Sequence, residues 1–294
     1  MNVLVTGALG QLGRELMKAT ASCADNYHFT DIVSAPEVDC LDATDFVALK
    51  QYVDTKNIDV IVNCAAYTNV ESAQDNPEMA FKLNAEMPEL LASVMAERGG
   101  LLIHISTDYV FGGIKSNTPL NEDAPCCPVN VYGESKLAGE EAVRKSGCNY
   151  LIFRTAWLYS AFGNNFLLKM LKLTEERKSL SVVCDQAGTP TCARGLARLI
   201  HGIISEHSWT GKCGTYNYTD EGVCSWYDFT VAIAAFSGHD KCRINPCLSL
   251  SFPTKAVRPA YSVLDKSSVK ETFGVSIRHW AVELKEYMQV ERLA

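Results

Sequence analysis

The chain of 294 residues is long enough for one large domain, or for a main domain with a smaller one. Its 47% of apolar residues can fill an ordinary globular core, and no run reaches the roughly 18 apolar residues that a membrane span needs. A formal net charge of −7 argues against a nucleic-acid partner, although a helix N-terminus or a local basic group can still hold a small anionic ligand.

The N-terminus and the cysteines both favour a cytoplasmic protein. Residues 1–7 lack a basic region followed by an apolar stretch and a cleavage site, so they are predicted to form a strand rather than a signal peptide. The twelve cysteines show no Cys-x-x-Cys spacing and no metal pattern. They are predicted to be reduced and mostly buried thiols; a disulfide or a metal cluster is the minor alternative.

The first half of the chain alternates apolar strands with helical patterns. Strands are predicted at residues 3–5, 27–30, 60–62, 101–105 and 150–153. Helices are predicted at residues 11–21, 46–53, 78–98 and 129–145, with a kink or break at Pro88. Strands that are apolar on both faces and separated by helices predict an α/β fold, a Rossmann-like doubly wound parallel sheet with helices on both faces.

The second half has a looser pattern. Helices are predicted at residues 165–177, 194–205, 226–236 and 277–290, short strands near 180–184 and 215–218, and proline-containing loops at 188–191 and 245–259. We expect residues 1–155 to form a dinucleotide-binding region and residues 156–294 to form mainly a smaller, mixed substrate-binding region. Without a linker or a repeat between them, the two are expected to be interleaved in one folding unit.

A glycine motif follows the first strand and opens the first helix. Gly7 permits a tight turn, Gly10 lets the backbone approach a pyrophosphate, and Gly13 allows the helix to pack closely on the strand. Gln11 and Leu12 lie between them, at the helix N-terminus. The spacing G-x-x-G-x-x-G departs from the usual G-x-G-x-x-G, but its position between a strand and a helix predicts dinucleotide binding.

Residues at the ends of the next strands are candidates for further cofactor contacts. Asp31 ends the second strand, where a carboxylate accepts a hydrogen bond from the adenosine ribose and disfavours a 2′-phosphate. Asp42 is placed to reach the adenine. Ala65, Ala66 and Tyr67 follow the third strand, where small residues let the backbone pass close to the cofactor. The alternatives are a solvated turn aspartate at Asp31 and simple strand–helix packing after the third strand.

The sequence contains two Tyr-x-x-x-Lys pairs, and their context separates them. In each pair the phenol and the ammonium lie on one helical face, where the cation favours phenolate and so assists proton transfer. Tyr132 and Lys136 follow the fourth strand, which ends with the hydroxyl of Thr107. Tyr52 and Lys56 lie in a crossover helix that covers a sheet face. We therefore predict that Tyr132, Lys136 and Thr107 are catalytic and that the Tyr52 pair is not.

These features together resemble the extended short-chain dehydrogenase/reductase family. The motifs that carry the resemblance are Gly7-x-x-Gly10-x-x-Gly13, Asn63-x-Ala65-Ala66, Ser106-Thr107-Asp108 and Tyr132-x-x-x-Lys136. Within that family the closer resemblance is to the dTDP-4-dehydrorhamnose reductases. It covers essentially the whole chain, with late motifs at Arg154-Thr155-x-Trp157, Asp185-Gln186-x-Gly188-x-Pro190-Thr191 and Arg258-Pro259-x-x-Ser262-x-Leu264-Asp265. Gly112 departs from the expected aspartate and affects only a loop.

The resemblance implies hydride transfer from NADPH or NADH to the C4 ketone of dTDP-4-dehydro-L-rhamnose, the last step of dTDP-L-rhamnose biosynthesis. It implies that Tyr132 donates the proton, and that Lys136 binds the nicotinamide ribose and lowers the pKa of the tyrosine. Thr107 stands where the family usually has serine.

The resemblance also implies that Thr107, Asp108 and Trp157 contact the nucleotide sugar. Arg258 is a candidate for binding its diphosphate or base. The residues leave alternatives open: Asp108 as a helix N-cap, Trp157 as ordinary core, and Arg258 in a surface ion pair.

Some members of the family place Mg²⁺ at a dimer contact through glutamates. Glu15 occupies one matching position, so a homodimer and Mg²⁺ are both compatible with the resemblance, but no residue is assigned as a metal ligand.

Two other functions remain open. One is a nucleotide-sugar epimerase or dehydratase, although no glutamate directly follows Asp108, which counts against a dehydratase. The other is a non-catalytic NADP-binding subunit like the regulatory subunit of methionine adenosyltransferase.

Overall fold

A computed structural model describes residues 1–293. Its helices are α1 (Gln11–Thr20), α2 (Phe46–Thr55), α3 (Val70–Asp75), α4 (Pro77–Phe81), α5 (Met87–Arg98), α6 (Val131–Lys145), α7 (Phe166–Glu176), α8 (Ala193–Ser205), α9 (Trp226–Ser237), α10 (Ser267–Phe273) and α11 (Trp280–Val290). Its strands are β1 (Asn2–Thr6), β2 (Asn26–Asp31), β3 (Val38–Cys40), β4 (Val60–Asn63), β5 (Leu101–Thr107), β6 (Asn149–Thr155), β7 (Leu158–Tyr159), β8 (Ser179–Val183), β9 (Ala187–Gly188), β10 (Thr191–Cys192), β11 (Gly214–Asn217), β12 (Cys224–Ser225) and β13 (Arg243–Cys247).

The main sheet has seven parallel strands in the order β11-β6-β5-β4-β1-β2-β3. The strand order reverses between β1 and β4, and ligands of open α/β sheets bind at such a switch point. The predicted Rossmann-like fold is confirmed. All five strands predicted in the first half lie in this sheet, and β3 and β11 extend its two edges.

Apolar side chains alternate between the two faces of each central strand. Val3 and Val5 pack with α1 and α8 on one face, whereas Leu4 packs with α2 and α5 on the other. Since both faces are covered, the strands are apolar throughout, which is why the sequence pattern alone predicts a parallel sheet.

The helix predicted at residues 78–98 is broken where Pro88 requires it. Residues 82–86 form one turn of wider π-helix between α4 and α5, and Pro88 lies in the first turn of α5. Proline has no N–H, and its ring clashes with the carbonyl of the residue four positions earlier, here Asn84.

Two predictions in the second half need correction. The proposed loop at residues 245–259 begins with three residues of β13, which pairs in parallel with β8. The helix predicted from residue 277 begins at Trp280, because His279 caps it by accepting a hydrogen bond from Ala281 N. The short helix α10 and the bridge-like strands β7, β9, β10 and β12 have too few residues to show a period.

The twelve cysteines are all free thiols. None of the helices within residues 1–293 is both long and apolar enough to cross a membrane.

Candidate active site

A cavity of about 680 Å³ lies at the carboxyl ends of β1, β4, β5 and β6. Of the residues predicted to bind cofactor or substrate, all except Gly13 and Tyr67 line it. The cavity runs from Asp31, at one end, past the glycine turn to Trp157 and Arg258 at the other.

The glycine turn has the geometry that a pyrophosphate requires. Gly7 has φ of +66°, and a Cβ there would meet Ala65 N at 2.6 Å, so any larger residue would collide with the backbone after β4. Gly10 caps α1 without a side-chain bond, so the first amides of this helix are left for a ligand. A Cβ on Gly13 would lie 2.5 Å from Ala8 Cα, which explains its place behind the turn rather than in the cavity.

Asp31 and Asp42 line the adenosine end of the cavity. The Asp31 carboxylate accepts hydrogen bonds from Leu9 N at 2.9 Å and from Ile32 N at 2.8 Å, so it also fixes the glycine turn. The Asp42 carboxylate accepts from the hydroxyl of Thr44 at 2.7 Å, and this bond lowers the pKa of Asp42.

The segment after β4 is held by buried amides. Asn63 accepts a hydrogen bond from the Thr6 hydroxyl at 2.8 Å and joins β4 to the neighbouring His104. The main-chain N–H and C=O of Tyr67 are both bonded to the side chain of Asn84. Those bonds fix the path of the backbone, and the Tyr67 ring lies outside the cavity.

Lys136 is buried beside the end of β5. Its Nζ donates a hydrogen bond to Ile105 O at 2.6 Å, and burial lowers the pKa of Lys136 to about 8. One turn further on, the carboxylate of Glu140 favours the charged form of the lysine.

Tyr132 lies on the same face of α6, at the cavity wall. Burial raises the pKa of Tyr132 to about 12, an effect that the hydroxyl of Thr107 partly offsets. In this structure the Lys136 ammonium is held at Ile105 O and burial dominates the pKa of the phenol, so the lowering of that pKa by Lys136 stays a prediction. At neutral pH the Tyr132 phenol therefore carries its proton.

Asp108 is almost fully buried. Its Oδ1 accepts a hydrogen bond from Thr107 at 3.1 Å, while its Oδ2 has no hydrogen bond of regular geometry among residues 1–293. Burial raises the pKa of Asp108 to about 6, an effect that the side chains of Ser262 and Thr107 partly offset. The N-cap of the following 3₁₀ turn is Thr107, which accepts from Tyr109 N, so capping is the role of the threonine.

Trp157 occupies the substrate end in a strained conformation. Its φ is +47°, which is unusual for a bulky residue, and its ring stacks on Trp226 with the centroids 3.5 Å apart. A Cβ on Gly188 would lie 2.6 Å from the Trp157 ring, so only glycine leaves room for it.

Among the lining residues that sequence reasoning did not assign, three lie close to the predicted catalytic and substrate residues. Trp226 begins α9, and no local signal connects it with Trp157. Tyr109 packs edge-on against Tyr132, with the ring centroids 5.4 Å apart, and its position directly after Asp108 could have indicated it. Thr155 ends β6 opposite Thr107 in the register of the sheet.

Arg258 forms an ion pair with Glu71 at 2.9 Å, at the cavity mouth. The ion pair left open as an alternative is therefore present, and binding of the diphosphate or base by Arg258 stays a prediction.

Glu15 is buried and accepts a hydrogen bond from the Tyr287 hydroxyl, which joins α1 to α11. Within residues 1–293 no three His, Cys, Asp or Glu side chains are grouped as a metal site would require. The structure therefore lends no support to Mg²⁺ at Glu15.

The strand order, the glycine turn at the switch point and the Tyr–Lys pair on the helix after β5 are those of the extended short-chain dehydrogenase/reductases.

A family model described as the RmlD substrate binding domain matches residues 1–293. The chain belongs to this family. It is 39% identical over 292 residues to the dTDP-4-dehydrorhamnose reductase of Burkholderia thailandensis, covering 95% of each chain. It is 36% identical to the reductase of Escherichia coli, covering 98% of this chain and 97% of that one.

Comparison with solved structures leads to the same family. The dTDP-4-dehydrorhamnose reductase of Clostridium acetobutylicum superimposes with a TM-score of 0.91 at 39% identity, covering 99% of this chain and 100% of that chain. The Bacillus anthracis reductase, solved in complex with NADP, has a TM-score of 0.86 at 32% identity, covering 98% and 99%. The resemblance to this group of reductases, drawn from the motifs, is confirmed.

Proposed function

We propose that this chain reduces the C4 ketone of dTDP-4-dehydro-L-rhamnose to dTDP-L-rhamnose with NADPH or NADH. The observation that carries the proposal is geometric: Tyr132, Lys136 and Thr107 line one cavity that has a dinucleotide turn at one end and Arg258 at the other. The relatives named dTDP-4-dehydrorhamnose reductase support the choice of substrate.

The glycine turn and the N-terminus of α1 would bind the cofactor pyrophosphate, with Gln11 and Leu12 supplying amides. Ala65 and Ala66 would pass beside the cofactor, and Asp31 and Asp42 would bind its adenosine end. When bound, the reduced nicotinamide supplies the hydride.

Tyr132 would donate its proton to the oxygen that gains negative charge as the ketone is reduced. Burial keeps the proton on the phenol at neutral pH, and a nearby cation would ease its transfer by stabilising the phenolate. Thr107 would hold the same oxygen by a hydrogen bond. The Lys136 ammonium, which now donates to Ile105 O, would bind the nicotinamide ribose and favour the phenolate that proton donation leaves behind.

Asp108 and Trp157 would contact the sugar. The Oδ2 of Asp108 is a buried acceptor suited to a sugar hydroxyl, and the strained Trp157 presents its ring at the same end of the cavity. Arg258 would bind the diphosphate, since a guanidinium matches phosphate geometry.

The test mixes the purified protein, NADPH and dTDP-4-dehydro-L-rhamnose, and follows the loss of reduced-nicotinamide absorbance together with the sugar product. We expect stoichiometric conversion to dTDP-L-rhamnose. If neither NADPH nor NADH is consumed, the proposal is wrong. Tightly bound cofactor that recycles without net oxidation would point to an epimerase or dehydratase, and co-purification with a synthetase would point to a regulatory subunit.

Cofactor preference depends on Asp31. Its carboxylate repels a 2′-phosphate, whereas the B. anthracis relative was solved with NADP. We propose that the chain accepts both cofactors and that Asp31 limits the use of NADPH. Asp31→Asn should shift the ratio of the two KM values toward NADPH by about tenfold, or about 1.4 kcal/mol. An unchanged ratio in competitive kinetics would remove Asp31 from this role.

A further inference from the structure

We infer that Asn130 is a positioning residue that joins the loop of Arg258 to the helix of Tyr132, so that an anion bound at Arg258 and the phenol of Tyr132 are placed together. The inference rests on the proposed function in one respect, namely that Arg258 binds the diphosphate of a nucleotide sugar.

The two ends of the Asn130 amide have different tasks. Its Oδ1 caps the N-terminus of α6 by accepting a hydrogen bond at 2.8 Å from the N–H of Gly133, the residue after Tyr132. Its Nδ2 donates to Val257 O at 2.8 Å, immediately before Arg258 in the chain. Asn130 is only 3% exposed, so neither partner can be replaced by solvent without cost.

The Arg258 loop is also held from its other side by α3. The Glu71 carboxylate accepts hydrogen bonds from Lys255 N at 2.9 Å and from Arg258 Nη2 at 2.9 Å. The ammonium of Lys255 pairs with Asp75 at 2.7 Å, one turn further along the same helix.

A third bond closes the arrangement between α3 and α6. The side chain of Gln74 accepts a hydrogen bond from Val131 N at 2.7 Å, beside Asn130. The helix α3, the loop at residues 254–258 and the first turn of α6 are therefore joined pairwise by hydrogen bonds. A displacement of any one of them strains bonds to the other two.

Arg258 keeps donors for a ligand beyond the one bonded to Glu71. Its Nε is buried at the cavity and has no hydrogen-bond partner within residues 1–293, whereas Nη2 is occupied by Glu71. A guanidinium fixed on one edge and free on another is preorganised for an anion. Through Asn130, the free energy of binding that anion is coupled to the placement of Tyr132, as remote binding energy is in catalysis.

The two tasks of Asn130 can be separated by substitution. Asn130→Asp and Asn130→Ser both keep an N-cap oxygen for Gly133 N, but each removes the donor to Val257 O. The matched control is Asn69→Asp, because Asn69 caps α3 in the same way through Ser72 N.

The measurements are the affinity for dTDP by calorimetry, KM for the nucleotide sugar and for NADPH, kcat, and the melting temperature. We expect both Asn130 variants to weaken dTDP binding and raise the sugar KM by about tenfold. We also expect kcat to fall and the NADPH KM to stay close to wild type, while the loss of one buried hydrogen bond lowers the melting temperature by only a few degrees. The control should match wild type throughout.

Coupling is tested in the background of Arg258→Gln. If Asn130 acts through the Arg258 loop, the double variant should bind dTDP no more weakly than Arg258→Gln alone. Independent, additive losses would overturn the inference, as would normal dTDP affinity in Asn130→Asp and Asn130→Ser. A parallel fall in NADPH affinity, with a melting temperature lowered by more than those few degrees, would also overturn it, by showing a general structural defect.

The two proposals fail differently. A wild-type protein that binds dTDP but reduces no ketone would refute the proposed reaction and leave the Asn130 coupling to be decided by the dTDP measurements. A wild-type protein that reduces the ketone while the Asn130 variants behave normally would refute the coupling alone. Absence of dTDP binding to the wild type would refute both.

Discussion

The helices α2 and α6 carry the same Tyr-x-x-x-Lys spacing in opposite surroundings. On α2, the Tyr52 hydroxyl donates to Asp39 at 2.7 Å, and the exposed ammonium of Lys56 lies 5.9 Å from the Tyr52 ring centroid. On α6, Tyr132 faces a cavity and Lys136 is buried against β5. Spacing alone places the two groups on one face of a helix, but the sheet edge that this face meets decides whether they can take part in a reaction.

The difference extends to the charges around each pair. On α2, the side chains of Lys50 and Asp54 are themselves exposed, to 40% and 50%. On α6, Glu140 is fully buried and pairs with Arg154 at 2.7 Å, while its other oxygen accepts from Ser106 at 2.5 Å. The catalytic pair therefore stands on a buried network that ties α6 to β5 and β6.

The largest contrast should appear on removing each phenol hydroxyl. Tyr132→Phe should lower kcat by on the order of 10³-fold, because it removes the proposed proton donor, while the affinity for NADPH stays near wild type. Tyr52→Phe should change kcat by less than about twofold. Steady-state kinetics and cofactor titration of both variants measure this, and a near-normal rate in Tyr132→Phe would identify another proton donor.

The next contrast concerns the buried and exposed carboxylates. Glu140→Gln should lower the free energy of unfolding by about 3–5 kcal/mol, because it leaves the buried charge of Arg154 without its partner. Asp54→Asn should change it by less than about 1 kcal/mol, since its ion pairs are exposed. Urea unfolding of the two variants measures both changes. Equal losses of unfolding free energy would show that burial does not make the carboxylate on α6 more important for stability than the one on α2.

The smallest contrast concerns the two lysines. Most substitutions lower the free energy of unfolding, but replacing Lys136 should raise it. The pKa of Lys136 falls from 10.5 to about 8, a penalty of about 3 kcal/mol, and losing its bond to Ile105 O offsets about 1 kcal/mol. Lys136→Met should therefore raise the free energy of unfolding by about 2 kcal/mol at pH 7. Lys56→Met should leave it within about 0.5 kcal/mol.

This last prediction carries a pH test. Between about pH 8 and pH 10.5 the folded protein holds fewer protons on Lys136 than the unfolded chain, so wild-type stability should rise with pH in that window. The advantage of Lys136→Met should shrink over the same range. An advantage that is independent of pH would mean that packing, not desolvation of the charge, is responsible.

The sequence by itself determined the fold and the glycine turn at its switch point. Runs such as residues 60–62 are apolar on both faces, and a glycine turn such as Gly7–Gly13 is a local conformational requirement, so both can be recognised within a few residues. The late motifs also indicated the family, because they extend the resemblance over the whole chain.

Only the tertiary structure decided what each functional group is bonded to. Lys136, on a helix, donates to a carbonyl of strand β5. Trp157 stacks on Trp226, 69 positions later, and Arg258 pairs with Glu71, 187 positions earlier. Burial and charge, which set the pKa values of Tyr132 and Asp108, depend on such contacts. A local sequence pattern specifies the backbone conformation and the face on which a side chain lies, but the solvation of that side chain depends on distant segments that meet only when the chain folds.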